Sequence, residues 1–378
     1  MTHTSGIGEL RRLRDIFKKG FRLLTYGDDP VPPLSEFHDL PVYPASPAGL
    51  KYAYSNVGAS ILGYLVEHFS GMSFRDYVVT NILDPLGMMN SDLIRSQRIS
   101  EREALGYKHK KGMFERTKRW NNIIKPSGAL VSTVNDMASF GKCLLNKGKF
   151  QGGSLLKSST FDLMWTPHYF SHEKLKDRHS MGLIFRLHEI NNCRFIEHTG
   201  SVKGFNAVFG FFPEDDVGFF ACCNLQEGLH HRITFRIRNR IFKQITGLEP
   251  QYQPNSFNPH GTPSKVEGYY GGYPGFLSNT RVITDGIEFK VRKDGPILKF
   301  SGLIGPQSKG IALHPTEDPL SYISRHEDEG EFLYYTQKFV FKEGDEGDVI
   351  ELNKGFTKYH KLKFYQTVRF KMLLISVL

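Results

Sequence analysis

The stretch Glu249 to Ser264, EPQYQPNSFNPHGTPS, most restricts what this 378-residue chain can fold into. It is rich in proline, asparagine and glycine and has no apolar periodicity, so no regular element runs through it. It reads as a linker between two units, residues 1–248 and 265–378. A chain of this length supports two cores, and 39% apolar with 23% charged residues is the composition of a folded globular protein. No stretch reaches the roughly 20 consecutive apolar residues of a membrane helix. The first residues lack the charged, apolar, small order of a secretory signal, so they leave the compartment unassigned.

The two sides of the linker differ in pattern. Before it, Val57, Ile61, Leu62, Leu65, Val66 and Phe69 recur at helical spacing, and Gly71 follows as a stop. Ser73 with Asp76 predicts the start of a second helix that ends before Pro85, and a third spans Val134 to Leu145. The apolar runs Phe205–Phe212 and Val217–Asn224, joined by Pro213-Glu214-Asp215-Asp216, predict a hairpin buried on both faces. Ile233, Ile237, Ile241 and Ile245 predict a helix over His230 to Ile245 whose apolar stripe packs on that hairpin. After the linker come short alternating segments: Val282–Thr284, Ile287–Val291, Ile297–Phe300, Phe332–Phe341 and Lys361–Phe370. The turns Thr284-Asp285-Gly286 and Glu343-Gly344-Asp345-Glu346-Gly347 join some of them, which predicts a small antiparallel barrel or sandwich.

The net charge of +10 is densest at Arg232, Arg236, Arg238, Arg240 and Lys243, read as a solvated helix face. No aromatic-interleaved or base-reading motif accompanies it, so nucleic acid is not an expected partner. Cys143, Cys193, Cys222 and Cys223 lack zinc-site spacing, so free thiols and no metal are expected.

Six short motifs follow one another: Thr2-His3-Thr4-Ser5-Gly6, Tyr54-Ser55-Asn56, Asp84-Pro85-Leu86-Gly87-Met88, Gly128-Ala129-Leu130-Val131-Ser132-Thr133, Asp136-Met137 and His198-Thr199-Gly200. In this order, over about residues 1 to 247, the chain resembles the superfamily of class C β-lactamases, D-alanyl-D-alanine peptidases and esterases. The resemblance implies an α/β fold of the α+β type, an antiparallel sheet flanked by helices. It also implies acyl transfer without a cofactor, on a small-molecule or peptide substrate. Such a reaction needs a nucleophile, a base and oxyanion donors. By resemblance Tyr54 is the base, helped by a lysine one helical turn after the nucleophilic serine, and Asn56 holds the substrate amide or that lysine. His198 and Thr199 line a strand edge facing substrate, Gly200 follows, and the Ser201 N–H is an oxyanion donor. Read alone, Asn56 is equally a helix N-cap, Tyr54 a core aromatic, His198-Thr199 ordinary strand residues and Gly200 a turn.

The family's Ser-x-x-Lys precedes the Thr-His-Thr-Ser-Gly segment, which here occupies residues 2–6. Ser5, Ser35 and Ser46, the serines before Tyr54, have no lysine three residues on. Ser139/Lys142, Ser154/Lys157 and Ser171/Lys174 have the spacing but follow the tyrosine. Ser139, Lys142 and Asn146 are expected on a wet helix face. The expectation is a first domain incomplete at its N-terminus, inactive alone, and open to complementation by an upstream fragment. Any export signal would also lie upstream. Without that segment the 57–69 helix and the 205–224 hairpin would expose apolar faces. The rival expectation is a non-catalytic binding or scaffolding homologue. His198 stands where many β-lactam-binding members have lysine, which favours a neutral ester, amide or peptide.

Overall fold

In the computed structural model, three helices begin where a side chain satisfies one of their first N–H groups. The structure describes residues 1–8, 23–27, 29–38, 44, 46–99, 103–110, 112–177, 179–190, 192–226, 232–247, 264–271, 286–292, 295–300, 311–324, 327–328, 331–332 and 337–363. Among them are helices α1 (Leu34–His38), α2 (Asn56–Ser70), α3 (Phe74–Val78), α4 (Val134–Leu145), α5 (Ser158–Met164) and α6 (Arg232–Thr246). Ser55 caps α2 by accepting from the Gly58 N–H at 2.9 Å, and Gly71 ends it with φ 69°. Ser73 caps α3 by accepting from the Asp76 N–H, and Thr133 caps α4 by accepting from the Asp136 N–H. A π-turn, Val79–Leu83, carries α3 on to Asp84.

Five antiparallel strands form the sheet of the first unit, in the order 217–223, 205–212, 193–202, 186–190, 180–181. Side chains alternate between its faces. On one face Ile196 and Phe211 pack with Leu144 of α4 and with Phe161 and Trp165. On the other, Phe195 and Phe212 pack with Phe242 of α6. The predicted hairpin is therefore covered on both sides, with Val208, Phe211 and Phe212 at 0% exposure. The expected exposed apolar face is found on α2, where Leu62, Leu65 and Phe69 lie open. In α6, Ile241 and Ile245 join the core but Ile233 and Ile237 are exposed. A stripe repeating every four residues turns about 40° per step on a helix of 3.6 residues per turn, so its far end leaves the sheet.

The segment after Met88 is locked to the start of α4 by one buried carboxylate. Asp136 accepts from the Asn90 N–H at 2.9 Å and from Ser91 Oγ at 2.6 Å, and Ser91 shares a 2.7 Å hydrogen bond with Ser132. Asn90 and Ser91, just after the Asp84–Met88 motif, are thus tied to Ser132 and Asp136 of the two later motifs.

The second unit is a closed barrel of eight strands, 268–271, 287–292, 295–300, 311–315, 321–324, 337–343, 349–354 and 357–362. Tyr269 pairs with Leu362 to shut it. Its axis holds Tyr270, Phe289, Tyr322 and Phe341, edge-on at ring separations of 4.9 to 5.6 Å. An eight-stranded barrel is about wide enough for side chains to fill. Residues 249–263 of the predicted linker, the Val282–Thr284 segment and residues 364–370 lie outside the described residues.

The barrel touches the first unit through the turn at Gly355 and Phe356. Ser171 Oγ donates to the Gly355 carbonyl at 2.7 Å, and Lys174 pairs with Asp318 at 2.5 Å. The Phe356 ring lies 5.6 Å from Tyr52, 6.0 Å from His179 and 6.1 Å from His188.

Candidate functional site

The Tyr54-Ser55-Asn56 turn is held by residue 3. The Ala53 N–H donates to the His3 carbonyl at 2.7 Å and the Ser55 N–H to His3 Nδ1 at 3.2 Å. An accepting Nδ1 places the His3 proton on Nε2. The His3 ring lies 4.3 Å from that of Tyr54 and 5.7 Å from that of Tyr52, at a left-handed φ of 57°. Gly6 fits beneath because a Cβ there would stand 2.0 Å from the Ser46 carbonyl oxygen. Ser55, not Asn56, is the N-cap: Asn56 is the first residue of α2, so the capping alternative for Asn56 does not hold.

His198, Thr199, Gly200 and Ser201 lie on the strand Cys193–Val202. That strand is central in the sheet, yet its neighbour 186–190 pairs with it only as far as Arg186↔Glu197. Past Glu197 this margin has no partner strand among the described residues, while Phe205–Phe212 covers the other side. Arg186 reaches over the open margin, its Nη1 donating to Thr199 Oγ1 at 3.2 Å. His198 faces the opposite side of the sheet. Burial, and then the Arg186 cation, push its pKa down to about 4, so the imidazole is neutral near pH 7.

Beneath these residues Glu197 is buried between two bases. Its Oε2 lies 3.3 Å from Arg238 Nη1 and its Oε1 3.4 Å from His188 Nε2, and His188 Nδ1 lies 3.3 Å from His179 Nδ1. Burial alone would raise the Glu197 carboxyl. The Arg238 guanidinium and His188 more than offset this and hold it well below the usual carboxylate range. Arg238 thereby departs from the predicted solvated face: it is 4% exposed.

Phe356 of the barrel turn packs both on Tyr52, two residues before Tyr54, and on His188, the partner of Glu197. A cavity of about 1410 Å³ opens on the sheet face that bears Gly200, between Val202, Phe205 and Cys222 on one side and Lys125, Ser132 and Met137 on the other. Of the predicted site residues Gly200 is in its wall, whereas Tyr54, Asn56, His198, Thr199 and Ser201 are not.

The three late Ser-x-x-Lys matches have other places. Lys142 and Asn146 are exposed beside the half-buried Ser139 on α4. Ser154 Oγ donates to the Leu156 carbonyl at 2.6 Å. Ser171 is 3% exposed and bonded to the barrel. The four cysteines are free thiols, and no group of three or more metal-ligating side chains occurs among the described residues.

Sequence reasoning placed His3 in a motif without a role and missed Arg186, the Glu197–Arg238 pair and Phe356. A charge inside the buried strand CRFIEHTGSV signalled that Glu197 needs a partner. Nothing in the spacing pointed to Arg238 or Arg186.

The sequence profile of the β-lactamase family matches residues 1–240. The human mitochondrial serine β-lactamase-like protein LACTB is 28% identical over 187 residues, covering 44% of this chain and 34% of its own length. Protein flp of Staphylococcus aureus strain N315 is 21% identical over 217 residues, covering 56% of this chain and 41% of its own length. The chain thus spans about a third of the length of the first curated relatives it matches. Among solved structures, the octameric penicillin-binding protein homologue from Pyrococcus abyssi superposes with a TM-score of 0.54 at 22% identity, over 95% of this chain and 76% of that one. SurE superposes with a TM-score of 0.56 at 18% identity, over 96% of this chain and 77% of that one. With the antiparallel sheet, its flanking helices and 240 matched residues in place, the chain belongs to the β-lactamase family.

Proposed function

We propose that this chain carries the base and substrate-binding part of a serine hydrolase site that cleaves an ester, amide or peptide bond through an acyl-enzyme. The observation that supports it most is the unpaired strand margin after Glu197, where Arg186 is bonded to Thr199 beside a neutral His198. An acyl-transfer site uses such a margin to align a substrate backbone, with Thr199 and the Ser201 N–H available as donors. Tyr54, against His3, is the base in this reading, and Asn56 on the first turn of α2 holds the substrate amide.

Arg186 changes the expected substrate. The preference for a neutral molecule came from His198 replacing a lysine, and Arg186 returns a fixed cation to the same strand margin. The substrate class proposed here is therefore an ester, amide or peptide with a carboxylate near the scissile bond.

Within these 378 residues no Ser-x-x-Lys precedes Tyr54, so the proposal includes inactivity of the chain alone. A tyrosine base has no proton to take unless a nucleophilic hydroxyl is placed beside it. Losing the nucleophile costs roughly 10⁶ in rate in a serine protease. The test is labelling with a fluorophosphonate and mass mapping, alone and after adding a segment that bears Ser-x-x-Lys. No adduct alone and an adduct on the added serine support the proposal. An adduct on Ser139, Ser154 or Ser171 refutes it. The absent serine also favours a second reading, a binding homologue: carboxylated peptide would then bind with no turnover even after complementation.

A further inference from the structure

The hairpin formed by strands Tyr107–Lys110 and Met113–Arg116 extends from the first unit, where Tyr107 and Lys108 pair in parallel with Leu225 and Gln226. Its base is clamped. The Tyr107 N–H donates to the Asn224 carbonyl at 2.9 Å, Thr117 Oγ1 to the Gly106 carbonyl at 3.1 Å, and Trp120 Nε1 to the Lys203 carbonyl at 2.8 Å. At the base two backbones touch, since a Cβ on Gly204 would lie 2.8 Å from Gly106 Cα. Its far end is unsupported: Met113 is 65% and Phe114 67% exposed.

Cross-strand register sets out the chemistry of that end. Met113 faces Lys110, Glu115 faces Lys108, Phe114 faces His109 and Arg116 faces Tyr107. Met113 and Phe114 therefore project from opposite faces of the ribbon. Lys110 stands level with Met113 and Lys108, Arg116, Lys118 and Arg119 follow behind; with Lys111 the sequence here carries six cations against the single carboxylate of Glu115. Glu115 pairs with Lys108 at 3.0 Å and Lys110 at 4.0 Å, leaving the balance strongly positive.

We propose that this hairpin docks the protein on an anionic lipid bilayer, with Met113 and Phe114 inserted among the headgroups and the cations behind them at the phosphate level. A wedge with apolar side chains on both faces at its tip and positive charge at its base matches a membrane interface, where apolar burial and attraction to anionic lipid add. Nucleic acid would satisfy the cations but offers no hydrocarbon to either tip residue. The docking is independent of any acyl-transfer chemistry.

The test is co-sedimentation of the full chain with phosphatidylcholine vesicles, with and without phosphatidylserine. Binding to the anionic vesicles alone is expected. M113S/F114S should weaken it about tenfold or more, and K110E/K118E at least about 25-fold at low salt. All four side chains are solvent-facing, so an unchanged near-ultraviolet circular dichroism spectrum accompanies each loss. Equal binding to neutral vesicles, full retention by M113S/F114S, or binding to duplex DNA in place of vesicles would overturn the proposal.

Discussion

Arg238 of α6 meets Glu197 of the central strand at 3.3 Å, and both side chains are about 95% withdrawn from water. The pair fixes the strand immediately before His198 and Thr199 and ties the helix to the sheet by charge as well as by Phe242.

Breaking this pair from one side leaves an uncompensated buried charge. Glu197→Gln is expected to cost about 3–5 kcal/mol in urea unfolding, whereas Glu197→Leu with Arg238→Met should cost far less. The Glu197 carboxyl is depressed in the folded state, so its stabilisation is present above the unfolded value of about 4.3 and is lost as pH falls below it. Equal losses for the single and double variants would contradict this account.

His198 acts with the same sign over a higher pH window. Its folded pKa of about 4 lies below the unfolded value, so protons favour the unfolded chain. Stability should be constant above about pH 6.5 and fall between about 6.5 and 4, by at most about 3 kcal/mol. Denaturation midpoints measured across that range should lose this segment of slope in His198→Asn.

Removing the α2 cap tests the reassignment at its start. Ser55→Ala should lower stability by about 1 kcal/mol and Asn56→Ala by less, read from thermal midpoints. A larger loss for Asn56→Ala would restore Asn56 as the cap.

Phe356 is half-buried between the barrel and the first unit. Phe356→Ala should cost about half of the roughly 3–5 kcal/mol of a fully buried Phe→Ala change. Calorimetry should then separate the unfolding of the barrel from that of residues 1–247. A single unchanged transition would show that the turn does not couple the two.

Local signals in the sequence translated well into structure. Ser73 with Asp76 and the Val134–Leu145 stripe start and stop helices where predicted, because capping and periodicity act within a few residues. The alternating segments after residue 264 announced antiparallel strands, but the choice between barrel and sandwich rested on Tyr269 pairing with Leu362, a closure no local pattern encodes. The same limit explains the site. Tyr54, His198 and Thr199 came from motif order, whereas Arg186 reaches Thr199 through strand register and Phe356 reaches Tyr52 from another unit. Ser55 and Asn56 are both good caps by residue type, and only backbone geometry separates them.

The rings of Tyr270, Phe289, Tyr322 and Phe341 leave the barrel without a lumen among its described residues. It is built as a plug and not as a vessel: its interior is spent on its own rigidity, and its effect on the neighbouring unit is confined to the rim. Phe356 stands on that rim and outside the axis, so a change of its side chain alters the contour presented to Tyr52 and His188 without opening the barrel.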